Sequence, residues 1–367
     1  MKPAVKRAIL VLSILVLAAL GALAAIRIYR LLAFTDGDYT FAVLQDGTAE
    51  IRNYRGSAKA LVIPSTLKKR PVTRIGAKAF NWRFFLTDVT VPEGVVAIDE
   101  GAFAGCYGLK NVSLPESLEE IGRRAFADCR ELKQLTLPEK VTAIGSGAFD
   151  RCLGLTTINL PDSVISIPAN PFTGCRALEA IAVSPSHPEL YMADGALYDR
   201  ATARLICCPC LRAEGRFAMP EGTVIVGVGA FQDCDRLTGV DLPESLEIIS
   251  DHAFDGCTHL ETVRIPEGVT AIGNAAFSDC SGMTGIVVPN GVKEIGYLAF
   301  YNCASLKDIT LPAGIADIGG GAFIGCRDLV VTLTEGTYAE TYCRNNNLLY
   351  STETKKPDIQ PLLETGI

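Results

Sequence analysis

Residues 132–152 read LKQLTLPEKVTAIGSGAFDRC, and this stretch decides the fold. Leu135 and Leu137 alternate with polar residues, which is the period of two expected of a strand with one buried face. Pro138 follows at once and ends the strand, because proline cannot donate to a β-ladder. The first third of the stretch therefore predicts a short strand with a single apolar face.

The second half of the same stretch predicts a turn and then one turn of helix. Gly145 is expected to supply a turn that requires a positive φ. Ala148, Phe149 and Cys152 have the spacing of one helical turn and are predicted to point inward. Strand, turn and helical turn together make one coil of an α/β repeat.

This unit recurs ten times, and the Ala-Phe pair gives its register. The ten phenylalanines fall into two runs with a step of 23 residues: Phe80, Phe103, Phe126, Phe149 and Phe172, then Phe231, Phe254, Phe277, Phe300 and Phe323. A cysteine follows the phenylalanine by three residues in nine units: Cys106, Cys129, Cys152, Cys175, Cys234, Cys257, Cys280, Cys303 and Cys326. A single coil cannot bury its own apolar face, so the coils must stack into a solenoid.

The repeated pattern Leu-x-x-Val/Ile-x-Leu-Pro…Val-x-x-Ile-Gly-x-x-Ala-Phe-x-x-Cys resembles the BspA-type leucine-rich repeat family of bacterial surface proteins. The match covers about residues 39–350. The resemblance implies a leucine-rich-repeat arc of about ten coils with a parallel β-sheet. It also implies a protein that is displayed on cells or secreted, often in connection with adhesion. It names a class of protein and not a ligand.

The two ends of the array are predicted to be capped, because a stack of coils leaves its terminal faces open. Residues 36–64 are predicted to form an N-terminal cap and residues 336–351 a C-terminal helical cap. The solenoid proper then covers residues 65–335, and a flexible tail covers residues 352–367.

The step from Phe172 to Phe231 is 59 residues, one period plus 36. The extra residues, 184–219, are predicted to form a β-hairpin island that projects from the solenoid edge, with a turn at Asp194-Gly195. The resemblance implies the same elongated unit in relatives, with Asn commonly at the position of His187.

The N-terminal segment 1–35 is predicted to be a membrane anchor or a signal segment. Residues 8–26 carry no charge, and at ~1.5 Å per residue they would cover about 28 Å, enough to cross a bilayer core. Ala22-Leu23-Ala24 fits a signal cleavage site, whereas the length of the apolar run and the following Arg27 and Arg30 favour an uncleaved anchor. Either way the repeat region is expected outside the cytoplasm, membrane-anchored or, as the alternative, secreted.

Composition and motifs favour a binding protein over an enzyme. The net charge of −7 argues against a nucleic-acid partner. No set of residues supplies a nucleophile, a base and an oxyanion site together, and no cofactor or metal is predicted. The nine in-phase cysteines are expected to be buried structural thiols that stay reduced. For Cys207, Cys208 and Cys210, a local disulfide or a plain strand is favoured over a metal site.

The outward positions of the predicted strands are the candidate binding surface. They would line the concave sheet, one per coil, and their polar members are Thr90, Ser113, Thr136, Asn159, Asp241, Arg264 and Thr310. The predicted ligand is an unidentified protein or glycan. The alternative is a structural or scaffold component of the bacterial cell envelope, and the sequence leaves the oligomeric state open.

Overall fold

The computed structural model describes residues 33–352, and these form a parallel β-solenoid. Each regular coil contributes two short strands, and nearly every strand pairs with its counterpart one period away. Gln134 pairs with Thr157, for example, and Glu120 pairs with Ala143. The predicted stack of coils with a parallel sheet is therefore confirmed.

The strands that carry the leucine pattern form the first ladder, here called the leucine ladder. Its strands are β4 (Ala60–Val62), β7 (Asp88–Thr90), β9 (Asn111–Ser113), β11 (Gln134–Leu135), β13 (Thr157–Leu160), β14 (Ala180–Val183), β18 (Gly215–Ala218), β20 (Leu237–Asp241), β22 (Thr262–Val263), β24 (Gly285–Val287), β26 (Asp308–Thr310), β28 (Val330–Leu333) and β29 (Leu349–Thr352). The ladder is interrupted twice: β9 does not pair with β11, and β14 does not pair with β18.

The strands that precede the Ile-Gly positions form the second ladder, here called the isoleucine ladder. Its strands are β6 (Arg70–Ile75), β8 (Ala97–Ile98), β10 (Glu120–Ile121), β12 (Ala143–Ile144), β17 (Arg204–Cys207), β19 (Ile225–Val226), β21 (Ile248–Ile249), β23 (Ala271–Ile272), β25 (Glu294–Ile295) and β27 (Asp317–Ile318). This ladder too is broken at the insertion, between β12 and β17.

The predicted helical turn in each coil is wrong. Left-handed residues lie two positions before and two after nine of the ten repeat phenylalanines; around Phe126 they are Arg124 at φ 53° and Asp128 at φ 58°. The Phe126 N–H donates to the Ala148 carbonyl of the next coil at 2.7 Å. Because these backbone donors are used between coils, they cannot close helical bonds along the chain. In the described part of the chain, the α component of the predicted α/β fold is a single C-terminal helix.

The role predicted for Gly145 is also wrong. This glycine does not have a positive φ. A Cβ built on it would lie 2.4 Å from the backbone nitrogen of Arg123 in the preceding coil. The position requires glycine because two backbones approach each other there.

The core is built around the stacked phenylalanines. Phe103 and Phe126 have ring centroids 5.3 Å apart and planes 5° from parallel, and the spacing between Phe254 and Phe277 is 5.2 Å. All these rings are buried. The file is continuous through each run of coils and stops at the insertion.

The N-terminal cap is a set of antiparallel strands: β1 (Phe34–Asp36), β2 (Tyr39–Val43), β3 (Ala49–Tyr54) and β5 (Thr66–Leu67). Tyr54 packs on Phe80 with centroids 5.3 Å apart and so takes the end position of the aromatic file. Arg83, which stands where later units have cysteine, donates from Nε to the Tyr54 carbonyl at 2.9 Å.

The C-terminal end is covered by helix α1 (Tyr338–Asn345) and the final strand. The ring of Tyr342 lies edge-on to Phe323, with centroids 6.1 Å apart. Its hydroxyl donates to the Gly319 carbonyl at 3.2 Å. A polar-tipped aromatic residue thus closes the last coil.

The inserted segment contains a hairpin of β15 (Leu190–Ala193) and β16 (Ala196–Asp199), which turns through Asp194 at φ 49° and Gly195 at φ 80°. The hairpin does not project as predicted. β16 pairs with β17, which pairs in parallel with the next coil. Leu197 and Tyr198 are fully buried, and this burial explains why the hairpin is built into the stack.

His187 is buried and anchors the start of this segment. Its Nδ1 accepts from the backbone N–H groups of Glu189 and Leu190 at 3.2 and 3.0 Å. Its Nε2 lies 3.2 Å from the Pro161 carbonyl and donates to it. The imidazole therefore stabilises this turn through hydrogen bonds to the backbone, as an amide side chain can.

The insertion divides the apolar core into two clusters. Cys207 belongs to the N-terminal cluster and Cys208 to the C-terminal one, as expected of adjacent strand residues. Asn170 joins the two halves: its Nδ2 donates to the Gly229 carbonyl at 2.7 Å, and its Oδ1 accepts from the Phe172 N–H at 2.8 Å. We call this boundary the junction.

The predicted membrane segment, residues 8–26, lies outside the described residues, as does the tail beyond Thr352. Between residues 33 and 352, no helix has the length and apolarity to span a membrane.

Candidate binding surfaces

Five of the seven residues predicted to bind a partner lie in strands of the leucine ladder, and Thr136 and Arg264 directly follow β11 and β22. Their side chains are exposed except that of Thr310, which is half-buried. The structure places them in three groups, because the ladder is broken between β9 and β11 and again at the junction. Thr90 and Ser113 belong to the first group, Thr136 and Asn159 to the second, and Asp241, Arg264 and Thr310 to the third. The three groups together are here called the strand face.

The charged residues of the strand face are paired within the protein. Arg216 donates from Nε to Asp241 at 2.8 Å, and the hydrogen bond from this guanidinium lowers the pKa of the Asp241 carboxyl. Arg264 donates to Glu244 at 2.6 Å. A ligand would therefore meet two neutralised ion pairs on this face.

A shallow depression of about 530 Å³ lies in the C-terminal part of the strand face. It forms at Gly285, which pairs with Thr262 on one side and Asp308 on the other and has no side chain to fill the space. Val287, 64% exposed, and Arg264 line it. The depression offers an apolar floor with polar groups at its rim.

An exposed aromatic cluster in the first two units was not predicted. Trp82, Phe84 and Phe85 are 51%, 50% and 70% exposed. Tyr107 of the next coil lies 5.7 Å from Trp82 and 6.3 Å from Phe84, centroid to centroid, and the Arg130 guanidinium lies 4.5 Å above its ring. We call these five residues the aromatic cluster.

A signal for the aromatic cluster was present in the sequence. Aligned on the 23-residue period, Trp82 corresponds to Gly105 and Asp128, and Phe85 corresponds to Gly108 and Glu131. Gly105 also leaves room for the indole, because a Cβ there would meet the Trp82 ring at 2.5 Å. Aligned position by position with the later units, the turn that follows Phe80 in the first unit is unusually apolar.

A polar groove of about 470 Å³ runs along the turns at the junction. Arg124, Arg151, Gln232 and Asp233 line it, and Arg124 pairs with Asp150 at 2.8 Å. Burial raises the pKa of both Asp150 and Asp233, which the nearby arginines offset only in part. The groove carries both signs of charge and does not favour a purely anionic or cationic ligand.

The in-phase cysteines are buried, as predicted, and eight of them share one contact. Each Sγ donates to the phenylalanine carbonyl 26 residues earlier, at 3.0–3.4 Å. Burial raises the pKa of Cys106 to about 12 and that of Cys152 well above its usual range. Such thiols are poor nucleophiles. In residues 33–352, no group of three or more His, Cys, Asp or Glu residues is arranged to hold a metal ion.

The family model for the BspA type leucine rich repeat region matches residues 73–192 and 214–330, more than half of the chain, in six copies. A search of curated proteins gives no significant match.

Among solved structures, the chain is similar to a leucine rich cell surface protein from Faecalibacterium prausnitzii, with 27% identity, a TM-score of 0.58, and coverage of 85% of this chain and 97% of that one. It is similar in fold to the pneumococcal vaccine antigen PcpA, with 18% identity, a TM-score of 0.57 and coverage of 88% and 97%. It is also similar in fold to a leucine-rich repeat protein from Eubacterium ventriosum, with 20% identity, a TM-score of 0.54 and coverage of 80% and 94%. With the repeat match, these findings show that the chain belongs to the BspA-type leucine-rich repeat family.

Proposed function

We propose that this protein is a non-enzymatic module, displayed outside the cytoplasm, that binds a protein or glycan through the strand face. One observation carries the proposal. Polar side chains at the same position of successive coils are held outward by paired backbone strands, so that Thr90 faces the solvent beside Ser113 on one sheet. A rigid sheet presents such groups with little loss of conformational freedom on binding.

The chemistry of the strand face suits hydroxyl-rich or peptide ligands. Thr136 and Asn159 offer donors and acceptors without charge, and the depression at Gly285 offers an apolar floor for a sugar ring or a side chain. The paired charges leave no strong field that would select a highly charged ligand.

Location outside the cytoplasm is the second part of the proposal. It rests on the uncharged run at residues 8–26 and on the similarity to the Faecalibacterium cell surface protein. We propose an uncleaved anchor, with secretion after cleavage as the alternative. Protease shaving of intact cells, with immunodetection of the repeat region, tests this. Shaveable protein in the membrane fraction supports the anchor, whereas protein that stays protected favours a scaffold role beneath an outer barrier.

The binding site is tested with the full chain on a glycan microarray and a panel of immobilised extracellular proteins. Any ligand found is then measured against the combined variant Thr136→Ala, Asn159→Ala, Asp241→Ala and Arg264→Ala, which we expect to weaken binding at least tenfold. The matched control replaces four exposed residues off the ladder and also leaves the net charge unchanged: Lys140, Glu221, Arg327 and Asp328. Equal binding by both variants would place the site elsewhere.

The aromatic cluster is a second candidate surface, favoured by its exposed Trp82 and Phe85. Tryptophan, tyrosine and arginine are the residues that most often dominate binding energy at interfaces. If Trp82→Ala with Phe85→Ala abolishes binding and the strand-face variant does not, the ligand site moves to this cluster. Self-association of the full chain without any external ligand would instead favour the scaffold alternative.

A further inference from the structure

The sulfur atoms of Cys210 and Cys234 lie side by side at the junction. Their Sγ atoms are 3.0 Å apart, closer than two sulfur atoms that merely pack and longer than the covalent bond of about 2.05 Å. Cys234 is 1% exposed and Cys210 is 9% exposed. Both belong to the C-terminal core cluster.

The register at the junction explains this arrangement. Cys208 takes the place of a phenylalanine, because its N–H donates to the Ala230 carbonyl at 2.9 Å as the Phe231 N–H donates to Ala253. The Cys234 Sγ lies 3.7 Å from the Cys208 carbonyl, farther than the regular thiols lie from theirs. The Cys234 thiol therefore lies farther from its backbone carbonyl than the regular thiols do from theirs, and it lies beside a second thiol, that of Cys210.

We propose that Cys210 and Cys234 are an oxidisable dithiol that closes to a disulfide by exchange with an external disulfide. The step depends on the proposed location outside the cytoplasm for its occurrence in the cell, but its chemistry can be tested on purified protein. It amends, for Cys234 alone, the expectation that the in-phase thiols stay reduced.

The exchange runs in two displacements. The more exposed Cys210, as thiolate, attacks one sulfur of the external disulfide; a mixed disulfide forms, and the departing thiolate takes up the proton that Cys210 lost. Cys234 then loses its proton and attacks the Cys210 sulfur, and the second external thiolate leaves and takes up that proton. The protein gives up two electrons and two protons, and the external disulfide becomes two thiols.

The order of attack follows from burial and hydrogen bonding. The hydrogen bond with Cys210, and then burial, raise the pKa of Cys234 well above its usual range. Cys234 is therefore the second, resolving thiol. The disulfide would fasten the segment between β17 and β18 to the coil of Phe231, so that the insertion could not separate from the C-terminal stack.

The neighbouring thiols do not offer the same geometry. Cys207 faces the other core cluster. Cys303 and Cys326 interact as well, since a hydrogen bond with Cys303 lowers the pKa of Cys326. Each of these two nevertheless keeps its phenylalanine carbonyl at 3.1 Å. The Cys303–Cys326 pair therefore serves as an internal comparison for the Cys210–Cys234 pair.

The test uses full-chain protein, purified reduced and then incubated with oxidised glutathione. The protein is unfolded in guanidinium chloride with iodoacetamide, without reductant, and digested with trypsin. We expect two of the thirteen thiols to escape alkylation and residues 205–212 to be joined to residues 217–236. Because the first peptide holds three cysteines, the variants assign the bond: Cys208→Ser should keep the cross-link and Cys210→Ser should lose it.

Full alkylation of the wild-type protein after oxidation would overturn the proposal, as would a cross-link that persists in Cys210→Ser. A disulfide found only between Cys303 and Cys326 would also overturn it. Circular dichroism of each variant checks folding, and Cys234→Ser gives a second route to the same result. Failure of this chemistry in purified protein leaves the proposed binding function standing, because that function is measured separately.

Discussion

The regular coils and the junction contain the same kinds of residue but use them differently. In a regular coil, Cys152 donates to the Phe126 carbonyl at 3.1 Å, and every neighbour is set by the 23-residue period. At the junction, Cys234 meets Cys208 and Cys210 because the period is broken there. A repeated residue therefore has a repeated role only while the backbone register holds, and chemistry that differs from the array is to be sought where the register fails.

The largest effect is expected in the regular stack. Phe149→Ala removes a fully buried ring that lies 5.8 Å from Phe126 and 5.6 Å from Phe172. The cavity should lower the free energy of unfolding by about 3–5 kcal/mol. Denaturant unfolding measures it, with Phe85→Ala as the control, since that ring is 70% exposed and its loss should change stability by less than about 0.5 kcal/mol. Equal costs would contradict the stacked core.

Substitutions at two glycines distinguish a close approach between two backbones from a requirement for a positive φ. Gly145→Asn places a side chain against the backbone of Arg123 and should cost about 3 kcal/mol. Gly215, at the junction, has φ +76° and open space around it, and Asn adopts that conformation readily, so Gly215→Asn should cost less than about 1 kcal/mol. Thermal unfolding of both variants measures the two costs. A larger cost for Gly215→Asn than for Gly145→Asn would show that the spacing between coils can adjust to a side chain.

The contact across the junction is tested by Asn170→Ala. This change leaves the Gly229 carbonyl and the Phe172 N–H without their buried partner and should cost about 2 kcal/mol. Asn290→Ala, on an exposed turn of the regular stack, is the control and should cost under about 0.5 kcal/mol. Hydrogen exchange should also show faster opening at residues 228–230 in Asn170→Ala. Unchanged exchange there would mean that other contacts hold the halves together.

The smallest effect concerns pH, in the coil that follows the junction. A hydrogen bond with Asp255, 2.9 Å from Nδ1, raises the pKa of His252. A raised folded-state pKa stabilises the protein fully below the unfolded value of about 6.5, and the gain is lost as pH rises through the folded value. The pair is half-exposed, so the gain should be only a few tenths of a kcal/mol. NMR titration should give a lower His252 midpoint in Asp255→Asn, and an unchanged midpoint would refute the pairing.

The part of this fold that could be predicted is the part whose sequence pattern recurs in every unit. The Phe and Cys periods indicated a stack, its buried core and the ladder that carries Thr136 and Asn159. The turn at Asp194-Gly195 was also visible, because its residues tolerate positive φ at both positions. The predictions succeeded where a local pattern and the global packing demand the same thing.

The errors arose where contacts between coils decide the local structure. The spacing of Ala148 and Phe149 fits a helix, but the Phe N–H groups are used by the next coil. Gly145 was expected to provide a positive φ, although its real constraint is the backbone of Arg123 in the preceding coil. The aromatic cluster was not predicted for another reason: the repeat pattern is defined by the residues that the units share, and Trp82 departs from that pattern.

The bond from the Phe126 N–H to the Ala148 carbonyl, repeated from coil to coil, has a consequence for inheritance. Each coil presents the same joint at its two faces, so unequal recombination between the repeated gene segments can delete or duplicate a whole coil and re-form that joint. The length of the array can thus vary between lineages without a new fold being required. The inserted segment has no such interchangeable joint, and it should remain a fixed landmark while the coils on either side change in number.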